Sequence, residues 1–443
     1  MDGAVVPANS ESTPVAAAIE PPHPLSDAQQ RRNVYVFAAC TGLQYLAAPV
    51  LYVGLTQGSL LNRLGATRTI ANLPETAFFV ATVTPVLLAS LLPGVAYLKR
   101  SLIACYLLAA ASQALVALTL VLPMAAYLRI SAVILQGAVS GAAMPTAIAL
   151  LWEAIGRGVA PSRRGVALGL AFGAGPLLAV AGSLGSQLLL TGKVGSMEFF
   201  AVEFPWNFAL VFAAGVPVML LTAFTAGGLI VVAGGDEPAP TALLAGIREF
   251  LSNRVLFAAT VVTILLYVGN TITANMNLYT QQVLQADPGD YAGYQNTLRF
   301  AFKMAAGLLL GWLLTRSNPR AGIIATGLLF IAAQLWALFA TGYWYLLAFG
   351  IYGAGELVGV YAPNYLLSAS APRDLRRNMA YVTMMMAPAA PAGTLFGALA
   401  DYGGRLYGPA TGFRLTFALC AAILLVGLVL AVTLLPPRPE PQE

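Results

Sequence analysis

Charge is what this sequence has least of. Asp, Glu, Lys and Arg together make up 9% of its 443 residues, hydrophobic residues make up 58%, and the mean hydropathy is +0.77. A soluble domain carries roughly 25% charge, so a water-facing surface of ordinary composition is excluded. Histidine is nearly absent. The one histidine, His23, lies in a Pro-, Ala-, Ser- and Glu-rich stretch, so no histidine-based metal site is expected. The three cysteines, Cys40, Cys105 and Cys420, all sit in apolar runs and read as small packing residues, with no disulfide and no metal. A nucleotide-binding glycine loop is missing, so ATP is not expected to drive the protein, and no cofactor is expected. A nucleophile–base cluster is missing too, and with it the sign of an enzyme. The formal charge of +5 is spread over links between apolar segments, so nucleic acid is not expected as a partner.

What is present is a series of apolar segments of about 20 residues, the length that crosses a bilayer at about 1.5 Å per residue. Unpaired backbone is too costly in hydrocarbon for anything but helices or closed barrels. The alternation of a barrel strand is not seen, so the predicted class is an all-α membrane protein. Twelve spans are expected, in two halves of six. Residues 1–32 read as a disordered tail, 33–233 as the first half, 234–254 as a linker with a short surface helix, 255–435 as the second half and 436–443 as a tail. Fifteen Lys and Arg fall in the tails and even-numbered links, and six in the odd-numbered links. By the positive-inside rule both termini are then cytoplasmic. The expected setting is a bacterial cytoplasmic (inner) membrane, with a monomeric protein in the lipid bilayer.

Two cations interrupt the eighth span. Arg299 and Lys303 lie one helical turn apart on the same face, too deep for both to reach the interface. Glu356 lies near the middle of the tenth span. Three overlapping readings stay open: the cations bind an anionic solute, one of them is locked to Glu356, or the group couples transport to protons. If Glu356 neutralises one cation, a positive charge remains, which favours an anionic or zwitterionic small molecule. The seventh span is rich in amides, with Asn270, Asn275, Asn277, Gln281 and Gln282. These residues read as cavity lining or as glue between helices. Gln44, Tyr45 and Tyr52 in span 1, Gln136 and Ser140 in span 4, and Tyr361, Asn364 and Tyr365 in span 10 are further candidates for the solute site. Glu75 and Asp287 are expected near the outer surface, rimming an entrance.

The halves echo each other. Gly94 with Lys99 and Arg100 follows span 2, and Gly311 with Arg316 and Arg320 follows span 8, six spans later. Basic pairs open spans 5 and 11 in the same way. On these residues the chain resembles the major facilitator superfamily, whose loop motif Gly-x-x-x-Asp-Arg-x-Gly-Arg follows spans 2 and 8. Thr315 replaces the motif's acid, Pro319 replaces its second glycine, and Leu98 stands where the first copy's acid belongs. The resemblance implies secondary transport by alternating access, with spans 1, 4, 7 and 10 lining the path. It also implies a gating role for Gly94, Lys99, Arg100, Gly311, Arg316 and Arg320. Transport of a small polar solute, with proton symport among the open readings, is the function expected. Efflux of amphipathic compounds, or a transporter-like receptor or membrane enzyme, are the alternatives.

Overall fold

The computed structural model describes residues 24–91, 94–231, 243–370, 378, 381–382 and 384–439. The protein is an all-α membrane protein. Among the described residues nine helices are long and apolar enough to cross a bilayer, an architecture consistent with twelve spans. The outward surface is hydrophobic, with Leu308 74% and Phe224 82% exposed. Such a face is stable against lipid and costly against water.

The first span is interrupted. Ser26 and Gln29 cap α1 (Asp27–Leu46) reciprocally, so this helix begins ahead of the tail boundary expected at residue 32. A short α2 (Ala48–Leu51) starts with Pro49 in its first turn, and α3 (Leu55–Arg63) follows Gly54, whose φ of +132° suits glycine. Pro49 and Gly54 thus mark a full break in span 1. Span 2 comprises α4 (Arg68–Ala71), α5 (Leu73–Ala81) and α6 (Thr84–Leu91). Then come α7 (Val95–Val121), α8 (Ala126–Gly158), α9 (Pro161–Thr191) and α10 (Trp206–Ala226). A hairpin of Lys193–Val194 with Met197–Glu198 joins α9 to α10. The turn into α7 lies at Gly94. Lys99 and Arg100, which follow it, lie inside the helix.

The linker carries α11 (Leu243–Ser252), close to the expected surface helix, while residues 232–242 lie outside the described residues. Asn253 caps α12 (Arg254–Tyr267), a 3-10 turn spans Val268–Ile272, and α13 (Thr273–Leu284) completes span 7. Span 8 is α14 (Ala292–Arg316) and span 9 is α15 (Pro319–Phe339), with Asn318 capping the latter and Pro319 at its first position. Span 10 breaks into α16 (Leu347–Gly355) and α17 (Val358–Ser368), with Glu356 at the break. Span 11 ends in α18 (Pro391–Tyr407), and α19 (Pro409–Leu434) is span 12. The basic pair expected to open span 11, Arg376 and Arg377, lies outside the described residues.

The two halves meet on one side of the membrane, the side that holds the odd-numbered links. There α3 packs on α13, α4 and α5 on α18, and α9 on α14. Glycine sets the closest approach within a half. A Cβ on Gly353 would lie 2.0 Å from the Arg299 carbonyl oxygen, so α16 and α14 touch backbone to backbone at the charged turn. By contrast a Cβ on Gly311 would meet nothing within 4 Å. Gly353→Ala should therefore lower thermal stability by about 1–3 kcal/mol, the usual cost of overpacking, while Gly311→Ala leaves it unchanged or slightly raised. Thermal unfolding of the two purified variants, followed by fluorescence, checks the contrast.

Candidate functional site

Close packing of α14 on α16 delivers Arg299 to Glu356. Its Nε donates to Glu356 Oε2 at 2.8 Å and its Nη2 donates to Oε1, a two-pronged pair with both side chains under 10% exposed. Lys303 Nζ lies 3.6 Å from the same Oε2 and keeps 18% exposure. Two cations thus share one carboxylate, and the third guanidinium nitrogen, Arg299 Nη1, is buried without a hydrogen-bond partner. A planar guanidinium suits this arrangement because it can chelate a carboxylate with two nitrogens and still offer a third.

The uncompensated charge faces aromatic rings. Arg299 sits 5.8 Å from the Tyr52 ring centre, 5.7 Å from Phe300 and 5.5 Å from Tyr352, and Lys303 sits 6.0 Å from Tyr52. Tyr45 and Tyr52 stack 6.3 Å apart, and both meet Phe300 edge-on. Tyr45 and Tyr52 come from the first half, the other side chains from the second. The cluster therefore spans the seam between the halves. Ring faces attract cations and repel water, so a solute placed here would meet strong, weakly screened charge.

On the odd-link side of this cluster lies a polar seal. Ser59 Oγ donates to Asn277 Oδ1 at 2.8 Å, and Asn277 Nδ2 donates to Gln295 Oε1 at 2.7 Å. Asn72 Nδ2 donates to Asn275 Oδ1 at 3.0 Å. Asp401 accepts from Arg68 N at 3.2 Å, from Thr69 N at 2.9 Å and from Thr69 Oγ1 at 2.7 Å. Arg68 also lies 4.3 Å from the Phe413 ring centre. At the rim, Arg63 pairs with Asp287 at 2.7 Å and approaches Asp290 at 3.8 Å. Burial, with a smaller contribution from Asp287, holds the Asp290 carboxyl above the usual carboxylate range, and Arg63 opposes the shift. Outside the seal a cavity of about 380 Å³ opens among Asn62, Arg68, Gln281, Gln282, Asp401 and Phe413.

Glu75 corrects the sequence reading. Expected at the rim, it is 2% exposed, and its Oε2 accepts from Ala274 N of the opposite half at 3.4 Å. A Cβ on Gly54 would lie 3.1 Å from Glu75 Oε1 and 3.0 Å from Thr273 Cβ, so the breaks of spans 1 and 7 meet at this carboxylate. The cause is the start of span 2. Helix begins at Arg68 rather than at Pro74, which carries Glu75 inward past the rim. Asp287, also expected at the rim, is there.

The other nominated residues separate into groups. Tyr45 lies at the central cluster. Asn275 lies in the seal. Asn270 presents its carbonyl to the Tyr352 hydroxyl at 3.0 Å, and its Oδ1 is buried without a partner. Gln136 donates to the Val50 carbonyl at 2.8 Å and accepts from Gln57 at 3.1 Å, which stitches α8 to the break in span 1. Gln44 is turned away, donating to the Tyr106 hydroxyl at 2.7 Å inside the first half. Gln281 lines the cavity outside the seal. Tyr361 packs on Gly322 of α15, Tyr365 donates to the Pro436 carbonyl at 3.0 Å, and Asn364 is exposed, so these three are not brought to the central cluster.

The nominated gating residues make contacts within their own halves. Lys99 donates to the Leu229 carbonyl at 3.3 Å, Arg320 donates to the Leu435 carbonyl at 2.8 Å, and Arg316 sits 4.3 Å from the Trp312 ring centre. Gly94 precedes α7, Arg100 is exposed, and Gly311 touches nothing. Sequence reasoning named Tyr52 for the cavity, set Glu75 at the rim, and passed over Phe300, Arg68 and Asp401. Of these last three only Asp401 carried a usable signal, a lone acid at the edge of an apolar run.

Removing Asp401 deletes three acceptor contacts of the seal. A membrane-impermeant maleimide should therefore label a cysteine placed at Ser59 faster when Asp401→Ala is added. The expected gain is about tenfold, the factor given by about 1.4 kcal/mol of lost sealing energy. Equal labelling rates with and without Asp401→Ala would remove Asp401 from the seal.

Comparison with known proteins agrees with this geometry. Residues 287–443 match the sequence profile of the Major Facilitator Superfamily. A comparison with curated proteins finds no match. Among solved structures, the chain is similar to a D-xylose-proton symporter, with a TM-score of 0.70 and 12% identity over 92% of this chain and 98% of that one. It is also similar to the nucleoside transporter NupG, with a TM-score of 0.66 and 10% identity over 91% and 98% of the two chains. A peptide transporter POT solved with sulfate gives a TM-score of 0.64 and 13% identity over 91% and 95%. Residues 287–443 thus carry the sequence signature of the Major Facilitator Superfamily, and the chain as a whole shares its fold with these solved structures.

Proposed function

We propose that the protein is a secondary transporter of a small anionic or zwitterionic solute, working by alternating access with proton coupling, in a bacterial cytoplasmic membrane. With both termini cytoplasmic, the odd-link side is the external face, and the conformation described here is sealed externally. The observation that carries the reading is the seam cluster, in which Arg299 and Lys303 share the single carboxylate of Glu356 and Arg299 Nη1 is left without a partner. A buried donor without an acceptor costs about 1–3 kcal/mol, which a solute carboxylate would recover on binding. The kinship in fold with proteins named as a nucleoside transporter, a proton symporter and a peptide transporter supports transport of small polar molecules.

In this reading Glu356 is an anchor. It holds Arg299 in one rotamer and leaves Nη1 for the solute. Lys303 is the more hydrated cation, placed where a solute's second charge or its hydroxyls could reach it. The aromatic shelf of Tyr45, Tyr52 and Phe300 would cover the apolar part of the solute.

The test is uptake into proteoliposomes from a labelled panel of monocarboxylates, amino acids, dipeptides, nucleosides and pentoses. Accumulation of a carboxylate-bearing member, lost at least about thirtyfold in Arg299→Gln, is expected, since breaking a charge-assisted pair costs roughly 2–5 kcal/mol. Uptake confined to uncharged members, or unchanged in Arg299→Gln, overturns the anion assignment. Glu356→Ala leaves two buried cations unpaired and should destabilise the protein by about 3–5 kcal/mol in thermal unfolding. Glu356→Ala combined with Arg299→Leu should recover part of that loss without recovering uptake.

A further inference from the structure

Glu75 is a buried acid that the transport reading has not used. It makes no ion pair among the described residues, and the contacts it accepts are both neutral, from the Thr273 side chain and, at 3.4 Å, from the Ala274 amide. The groups that face it are few. From the second half, Arg299 and Glu356 reach it electrostatically, as does the Tyr352 phenol. Thr273 and Ala274 of α13 contribute no charge. On the first-half side, α8 presents Gly137 and Gly141 to the span that carries Glu75, and neither titrates. Arg68 of α4 is engaged by the Ala400 carbonyl and lies against Asp401, away from Glu75. Lys303 is held at Glu356.

This placement has two physical consequences. First, Glu75 lies in the seam that the external seal closes. Closing the seal strips water from the carboxylate and offers it only neutral contacts from Thr273 and Ala274 in exchange, with no ion pair, which a charged carboxylate bears at high cost and a neutral carboxyl far more easily. Second, the charge of the centre depends on it. With Glu75 ionised, two cations face two carboxylates and the cluster is neutral. With Glu75 protonated, one positive charge is left over, the condition under which the centre attracts an anion.

We infer that Glu75 is the proton-binding site that links closure of the external seal to the charge of the solute site. When the seal opens, the Glu75 carboxylate takes a proton from external water. The neutral side chain lets the seal close, and the surplus positive charge retains one anionic group of the solute. One proton then accompanies each monoanion, and the loaded transition moves no net charge. This inference rests on the anion-transport reading for the solute's part, while the proton site itself can be tested with no solute present.

The experiment uses the full chain in proteoliposomes, with a cysteine at Ser59 as reporter and a membrane-impermeant maleimide outside. Labelling rates are divided by those of the denatured protein at each pH, which removes the thiol's own titration. The native Cys40, Cys105 and Cys420 are buried. In the parent, labelling should rise with pH by up to about tenfold per unit, the limit set by one proton. Glu75→Gln, fixed in the neutral form, should label slowly at every pH. Glu75→Asp should keep the pH response with a displaced midpoint, which serves as the test if the glutamine variant folds poorly. A pH response of parental size in Glu75→Gln, or a parent with no response, overturns the proposal. Either result leaves the uptake panel and Arg299→Gln to decide the transport reading separately.

Discussion

Everything at the centre of this protein depends on keeping a guanidinium out of water between two apolar halves. Isolated, Arg299 would be prohibitively costly there. Glu356 makes it tolerable, and it does so at a break in span 10, where the chain leaves α16 and enters α17. Backbone contact at Gly353 fixes the distance between the two helices. The pair is therefore oriented by backbone packing and not by side-chain reach alone, and Lys303 adds a second cation that the one carboxylate cannot fully compensate. Surplus charge in a poorly screened site is the feature from which solute preference follows.

The seal is built from different chemistry. Amides, hydroxyls, the Asp401 carboxylate and, at the rim, the partly exposed Arg63–Asp287 pair close the odd-link side, and Ser59 to Asn277 and Asn72 to Asn275 are neutral hydrogen-bonded pairs. Each such contact nets about 0.5–1.5 kcal/mol, because opening returns both partners to water. A few of them give a gate that holds and can still be undone. Had the gate been closed by buried ion pairs of the Arg299–Glu356 kind, opening it would cost more than solute binding could return. The buried ion pair sits inside one half, where nothing needs to come apart, and neutral polar contacts with a partly exposed ion pair at the rim sit between the halves, where an alternating-access transporter would open.

Legibility in the sequence followed the same division. A charge inside an apolar run has few places to go, so Arg299, Lys303 and Glu356 could be named from their positions alone, and all three meet in the structure. The seal could not be read in this way. Asn275 was nominated for solute contact because an amide in a membrane helix is ambiguous. Its partner Asn72 lies two hundred residues away, and only the packed halves bring them together. Tyr361 and Tyr365 were misplaced for a geometric reason. The break at Glu356 resets the helical phase, and the residues beyond it turn toward α15 and the chain's end. Glu75 was misplaced because its depth depends on where span 2 begins, and the polar segment from Arg68 to Asn72 gives no hydropathic sign of being helical at membrane depth.

These placements bear on how solute and proton would be coupled. A proton site on Glu356 itself would have to release a carboxylate held by two cations, and each protonation would leave both of them unpaired in the seam. A site on Glu75 avoids that cost, because its proton is gained and lost without breaking an ion pair. Its influence on the solute acts through charge and through the seal, both of which it touches from the first half, while the solute's own contacts belong mainly to the second. Dividing the two tasks between halves that move relative to each other would make the coupling mechanical. The carboxylate proposed to be neutral for the seam to close belongs to one body, and the cations that would then hold an anion belong to the other.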